Sequence, residues 1–198
     1  MKKNIIAISR EFGSGGRTIG RLVAQKLGIQ FYDRDIIKKV VEESGLTRKY
    51  VEHYGEFAPS ADQRFEYSFV GLDEDSNSPL VQLWKTREKV IKDFATAKPC
   101  VIVGSCADYI LRDREDCLKV FLYADEETKE NRIQEIYGEA GLKLKNRVKD
   151  MDVRRGLNYK YFTGQDWGKA QNYDLALNRG SLGIEKCAQL IVDAASEE

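Results

Sequence analysis

The chain reads as an α/β protein with a mainly parallel sheet. Three observations predict this class. Short apolar runs bounded by glycine, proline or charge recur along the 198 residues. Amphipathic stretches of helical period fall between those runs. The first apolar run passes through a glycine-rich turn straight into such a stretch.

Taken in order, "NIIAIS" (4–9) is a buried strand, and the next helix spans about Gly16 to Leu27, with Ile19, Leu22, Val23 and Leu27 on one face. "IQFYDRD" gives a short second strand, "DIIKKVVEESG" a helix stopping at Gly45, and "LTRKYVEHYGE" another short helix. Residues 55–78 have no clear period and read as a polar, flexible excursion. A helix resumes at Pro79 and runs to about Ala97, with Leu80, Leu83, Trp84, Ile91 and Phe94 sharing a face. "PCVIVGS" and "CLKVFLYAD" are further strands, and a helix starts near Glu126. Residues 141–160 are strongly basic and helix-forming; "YDLALN" is a last strand; Ile184, Cys187, Ala188, Ile191 and Val192 mark a closing helix. No repeat or low-complexity tract interrupts this order.

Composition narrows the function classes. Hydrophobic residues are 42% and charged residues 32%, and 32 Lys plus Arg balance 32 Asp plus Glu. A net charge near zero argues against nonspecific nucleic-acid or membrane binding. No apolar run approaches a membrane span, and the apolar stretch at the N-terminus is too short for a signal peptide. Cys100, Cys106, Cys117 and Cys187 form no C-x-x-C pair, and the sole histidine, His53, is distant. Free, mostly buried thiols in a reducing cytoplasm are therefore expected, not a zinc site.

"AISREFGSGGRTIGRLVAQKLG" (7–28) carries the chemistry. A phosphate-binding loop normally reads G-x-x-x-x-G-K-[ST]. Here Glu11 replaces the first glycine and Arg17 the lysine, while Thr18 keeps the hydroxyl. The placement between strand and helix suits an anion, because the helix start presents unsatisfied N–H groups and a positive dipole end. Gly13, Ser14, Gly15, Gly16, Arg17 and Thr18 are the candidate triphosphate site, with Thr18 in place for Mg²⁺ and Arg17 able to grip phosphate oxygens as a fork. Taken alone, the loop is also compatible with an ordinary tight turn.

Four stretches in order, "AISREFGSGGRTIG", "FYDRDII", "CVIVGSCADYIL" and "YFTGQDWGKAQNYDLALN", resemble the cytidylate kinase-like family. The resemblance covers nearly the whole chain and is weakest over 55–78. It implies a P-loop NTPase fold of the nucleoside monophosphate kinase type: three layers around a parallel sheet, an acceptor-binding insertion at about 33–97 and a helical lid at about 141–162. Relatives also carry Arg at the Arg17 position. The resemblance implies that Asp33 and Arg34 face the acceptor nucleotide; read alone, they are also compatible with a surface turn whose charges pair. Asp108 is open to contact with an acceptor base or is a surface helix residue. Relatives usually have Gly-Arg where this chain has Gly104-Ser105, and a serine loses the charged grip on an acceptor phosphate.

The lid carries Arg147, Asp152, Arg154 and Arg155. Closing arginines would position the transferred group, neutralise its charge and exclude water. Asp152 would keep them in register. The sequence does not choose between Arg154 and Arg155 as the principal catalytic partner of Arg17, and a solvated basic helix face is the plainer reading of the segment alone. Glu11 could order a magnesium-bound water, pair with a lid arginine or make a plain salt bridge. Asp174 and Asn178 sit near the expected adenine pocket. The implied activity is ATP- and Mg²⁺-dependent transfer to a nucleoside monophosphate such as CMP or dCMP. Ser105 keeps two alternatives open: a kinase of another small metabolite, and an inactive nucleotide-binding regulator.

Overall fold

A computed structural model describes residues 3–55, 78–138 and 141–196. Apart from its two end residues, the polar stretch at 55–78 lies outside them. Numbered over the described residues, the elements are β1 (Ile5–Arg10), α1 (Gly16–Leu27), β2 (Gln30–Tyr32), α2 (Arg34–Ser44), α3 (Arg48–Gly55), α4 (Pro79–Ala97) and β3 (Cys100–Val103). They continue with α5 (Ala107–Ile110), β4 (Cys117–Tyr123), α6 (Glu126–Tyr137), α7 (Leu142–Thr163), β5 (Leu175–Asn178) and α8 (Arg179–Ser196). A 3₁₀ turn at Ala170–Asn172 precedes β5.

All strand pairs are parallel, in the order β2-β3-β1-β4-β5. β1 lies at the centre and every one of its residues is buried, as expected for a strand covered on both faces. Alternation along β1 separates the layers. Ile6 and Ile8 pack with Ile19 and Val23 of α1 and Cys187 and Ile191 of α8. Ile5 and Ala7 face the other way, onto Ile36 of α2 and Leu83 and Ile91 of α4. Gly20 lets α1 lie against the sheet, since a Cβ there would meet Val103 at 2.9 Å.

Local signals set the helix ends. Ser78 caps α4 by accepting from the Val81 N–H (3.3 Å), with Pro79 at the first turn. Asp125 caps α6 by accepting from the Thr128 N–H (2.8 Å). The second strand is shorter than the sequence suggests: the chain already turns at Asp33 into α2. α8 breaks at Gly183, so the regular closing helix starts at Ile184 as its apolar spacing predicts. All four cysteines are free and buried, and burial pushes Cys100 and Cys117 up to about 12. Among the described residues, no helix is long and apolar enough to cross a membrane.

The chain order switches direction around β1: β2 and β3 lie on one side, β4 and β5 on the other. Ligands of open α/β sheets bind beyond the C-terminal strand ends at such a switch. The glycine loop leaves β1 at that point.

Candidate active site

The loop shape depends on backbone that only glycine adopts easily. Gly13 (φ 83°) and Gly15 (φ 87°) are left-handed, and a Cβ on Gly13 would meet the Lys129 carbonyl oxygen at 2.9 Å. Ser14 is fully buried; its hydroxyl (2.9 Å) and N–H (3.3 Å) both donate to the Glu11 carbonyl. Ser14 therefore shapes the loop and its N–H is already engaged, which departs from its expected contact with phosphate. α1 has no side-chain cap at Gly15, so its first N–H groups face a groove of about 380 Å³. Arg10, Arg132, Tyr137, Met151 and Arg155 complete that groove.

Cations crowd the loop, several of them unforeseen from sequence. Arg132 of α6 donates through Nη2 to Thr18 Oγ1 at 2.6 Å, so the hydroxyl expected to meet Mg²⁺ is here held by an arginine. A Cβ on Gly15 would lie 3.5 Å from Arg132 Nε and 3.7 Å from Arg179 Nε, so both guanidinium groups converge there. Burial first, and then the Arg179 charge, hold the Arg132 pKa below its ordinary value. The Arg179 Nε is buried without a hydrogen-bond partner among the described residues. Two like charges held this close form a site that an anion would relieve.

The lid residues divide into different roles. Arg155 is 9% exposed, donates to the Arg10 carbonyl (3.1 Å) and lines the groove. Arg154 pairs with Asp150 (3.7 Å) on its own helix, and Arg147 lies over the Phe12 and Tyr137 rings at 5.4 and 5.7 Å. Asp152 does not keep these arginines in register. It accepts from the Phe12 N–H (2.6 Å) and from Lys129 Nζ (3.1 Å). Lys129 Nζ also donates to Glu11 Oε2 (3.1 Å), whose oxygen in turn accepts from the Ala124 N–H (3.2 Å). Burial lowers the Lys129 pKa, but Asp152 and Glu11 outweigh it and leave the pKa raised. Of the options for Glu11, the plain salt bridge is the one present, and through Lys129 it ties the loop to α6 and α7.

A second cavity of about 410 Å³ opens on the other side of Arg17. Arg17 lines both spaces, and its Nε pairs with Asp33 Oδ2 at 2.6 Å. Asp33 thus pairs across to the glycine loop rather than with its neighbour Arg34, although Asp33, Arg34 and Ser105 all line this cavity as expected. Arg48, paired with Glu52 (2.7 Å), and Arg87 are further cations on its wall.

Asp108 is a correction. It is 3% exposed, accepts from the Tyr159 hydroxyl (2.7 Å) and does not line the cavity. Burial pushes its carboxyl up to about 6, partly offset by that hydrogen bond. Above it, Gly104 (φ 81°), Ser105 (φ 58°) and Cys106 (φ 58°) are all left-handed. Two consecutive non-glycine residues in that region are a local strain of the kind that marks functional turns. Tyr159, Phe162 and Tyr173 are buried packing residues, and the Trp167 Nε1–H donates to Ser9 Oγ (2.9 Å). Asp174 and Asn178 lie at opposite ends of β5: Asp174 accepts from the Lys119 N–H (2.8 Å), while Asn178 accepts from the Gly180 N–H (2.9 Å) beside Arg179.

Sequence reasoning passed over Arg10, Arg87, Lys129, Arg132 and Arg179. Arg87 had a readable signal, because it falls on the apolar stripe of α4 with Leu80, Leu83 and Ile91. Arg132 and Arg179 had none; their meaning depends on where α6 and α8 start.

The model of the cytidylate kinase-like family matches residues 5–181. A cytidylate kinase of Archaeoglobus fulgidus is 24% identical over 96% of this chain and 93% of its own. One from Methanobrevibacter smithii is 25% identical over 95% and 96%. Among solved structures, an uncharacterised protein of Eubacterium ventriosum shares the fold with a TM-score of 0.73 at 23% identity, covering 98% of this chain and 99% of its own. A shikimate kinase of Bacteroides thetaiotaomicron does so with a TM-score of 0.56 at 14% identity, covering 98% of each chain. With the parallel sheet, the glycine loop and the paired cavities in place, the chain belongs to the cytidylate kinase-like family and is a kinase of the P-loop α/β fold.

Proposed function

We propose that this kinase transfers the γ-phosphate of ATP to a nucleoside monophosphate such as CMP or dCMP. The position of Arg17 carries the reading. It lines the glycine-loop groove and the neighbouring cavity at once, where a group passing between them must cross. Triphosphate sits on the free N–H groups of α1, with Arg132 and Arg179 converging on the same turn and Arg155 closing from α7. The acceptor occupies the second cavity beside Asp33, Arg34 and Ser105. Its phosphate is already an anionic nucleophile, so no general base is needed; positioning and charge neutralisation do the work.

The residues fit a magnesium ion that arrives with the nucleotide. Thr18 offers one hydroxyl at the loop, and among the described residues no cluster of three or more His, Cys, Asp or Glu is arranged as a metal cage. Mg²⁺ commonly keeps waters and substrate phosphates as its other ligands, and it would supply charge neutralisation. Occupation requires Thr18 to exchange its Arg132 contact. The four buried thiols fit a reducing, cytoplasmic setting.

Ser105 favours one second reading, a kinase of another small metabolite, because it offers the acceptor no charge. Coupled ADP release over all common NMPs and dNMPs separates the readings. Turnover of CMP or dCMP is the expected result. Turnover only with a non-nucleotide acceptor moves the substrate, and tight ATP binding without turnover on any acceptor sinks the transferase reading.

A further inference from the structure

We propose that Asp33 is a positioning residue that couples the two sites: acting through Arg17, it makes ATP binding and transfer depend on the presence of an acceptor. The proposal rests on reading the glycine-loop groove as the donor site and the second cavity as the acceptor site.

Asp33 follows the short strand β2 and stands at the N-cap of α2. An aspartate there ordinarily accepts from N–H groups of its own first turn. This one makes no such bond. Its side chain is 14% exposed, and its carboxylate goes instead to Arg17 Nε at 2.6 Å. The contact joins distant elements. Asp33 leaves β2 at the sheet edge, Arg17 follows the central β1, and β3 lies between those two strands. A charge-assisted pair of that length fixes where the guanidinium points.

Of the residues lining either space, Arg17 alone lines both. Three anionic groups therefore compete for it: Asp33, the triphosphate in the groove and the acceptor phosphate in the cavity. A ligand that binds alone must displace Asp33. The second ligand then meets an Arg17 that is already released, and the remaining N–H donors on its Nη atoms can serve both phosphates. A cost removed once for two ligands is positive coupling, equal in both directions.

The acceptor cavity also bears on Asp33 through its helix, because Ile36, Ile37 and Val40 of α2 line that cavity. The other carboxylate on the wall, Glu52, is held within its own helix by Arg48 at 2.7 Å. Asp33 is thus the wall carboxylate bonded to the donor loop. The Arg132 contact with Thr18 lies on the donor side and carries no such link to the cavity. Coupling of this kind restrains hydrolysis. With ATP alone, an Arg17 drawn to Asp33 leaves the γ-phosphate short of one charge partner. Attack by water is then slow: its oxygen bonds to Pγ, the bond from Pγ to the β,γ-bridging oxygen breaks with the electron pair staying on ADP, and the proton goes to solvent.

The test uses the Mg²⁺ complex of ATP whose β,γ-bridging oxygen is replaced by NH, so that binding is read without turnover. By calorimetry without acceptor, Asp33→Asn should bind this analogue about fivefold more tightly than wild type. A merely structural role at the turn would weaken binding instead, so the sign decides. Asp33→Glu, which keeps the carboxylate, should return toward wild type. Asp35→Asn removes the same charge from an exposed neighbour paired with Lys38 (3.8 Å) and should leave the affinity unchanged. Release of ADP from ATP without acceptor should rise about fivefold in Asp33→Asn. Saturating CMP should tighten the analogue about fivefold in wild type and less than about twofold in Asp33→Asn. Equal or weaker analogue binding, or an unchanged rate of ADP release, in folded Asp33→Asn overturns the proposal and leaves the transferase reading standing. The same tightening in Asp35→Asn reduces the effect to net charge and overturns it too. Tighter binding in Asp33→Asn with no CMP effect in wild type keeps the coupling residue and removes CMP as the acceptor. No binding of the analogue by either form overturns the proposal together with the donor reading.

Discussion

On one side of Arg17, a groove is built from consecutive residues. Gly13 and Gly15 to Thr18 line it, and a helix start supplies the field. On the other side, the cavity wall is assembled from side chains of α2, α3, α4 and the β3 end. The first arrangement suits phosphate through N–H geometry that every residue type shares, so glycines and their freedom dominate. The second would select a ligand by which side chains happen to converge, so single substitutions can retune it. A family can keep its donor loop while changing its acceptor, and position 105 lies on the changeable side.

The largest expected effect joins the two sides. Arg17→Ala removes a group that lines both spaces and releases Asp33. Turnover should fall by about two to three orders of magnitude, the ~3–4 kcal/mol that one donor to a transferring group is worth. Both KM values should rise as well. If the change touched only the ATP KM, the two regions would be independent and Arg17 would belong to the donor side alone.

Next comes a buried carboxyl that lines neither space. Asp108 has its carboxyl raised from 3.8 to about 6 by burial. The folded state then binds the proton more tightly than the unfolded state, so this group stabilises below about pH 4 and loses that contribution as pH rises through 6. The whole effect is at most about 3 kcal/mol. Urea unfolding at pH 5 and pH 7.5 should show wild type losing stability relative to Asp108→Asn as pH rises. A pH-independent difference between the two would mean that Asp108 titrates normally.

Selective loss on the acceptor side comes third. Arg34→Ala should raise the acceptor KM by about tenfold, one charge-assisted contact, with little change in ATP binding. Asp33 lacks this selectivity, since its carboxylate holds Arg17. Equal losses for both substrates in Arg34→Ala would move that residue to the donor side.

The smallest effect is the sharpest on specificity. With Arg87 on the same cavity, Ser105→Arg should change kcat/KM for CMP and dCMP by less than about tenfold, because the new cation adds repulsion and occupies a left-handed position (φ 58°). A much larger gain would return the specificity role to position 105.

The order of strands and helices was legible from local pattern, as were the glycine loop and the apolar faces of α1 and α4. Hydrophobic period, capping residues and glycine punctuation act over a few residues, and the chain shows them directly. So does the oddity of a serine at 105 and, with hindsight, of an arginine on the α4 stripe. Partner choice was not legible. Glu11 meets Lys129 across 118 residues of chain, and Thr18 meets Arg132 across 114. Asp108 on a short helix has no sequence mark that distinguishes a carboxyl sealed against Tyr159 from one facing a ligand. Asp152 carries the letters of a lid residue, yet its oxygens are taken by Phe12 and Lys129. Charge is long-ranged and side chains are flexible. Which carboxylate finds which cation, and which stays buried, is decided only when the sheet brings distant helix starts to one crevice.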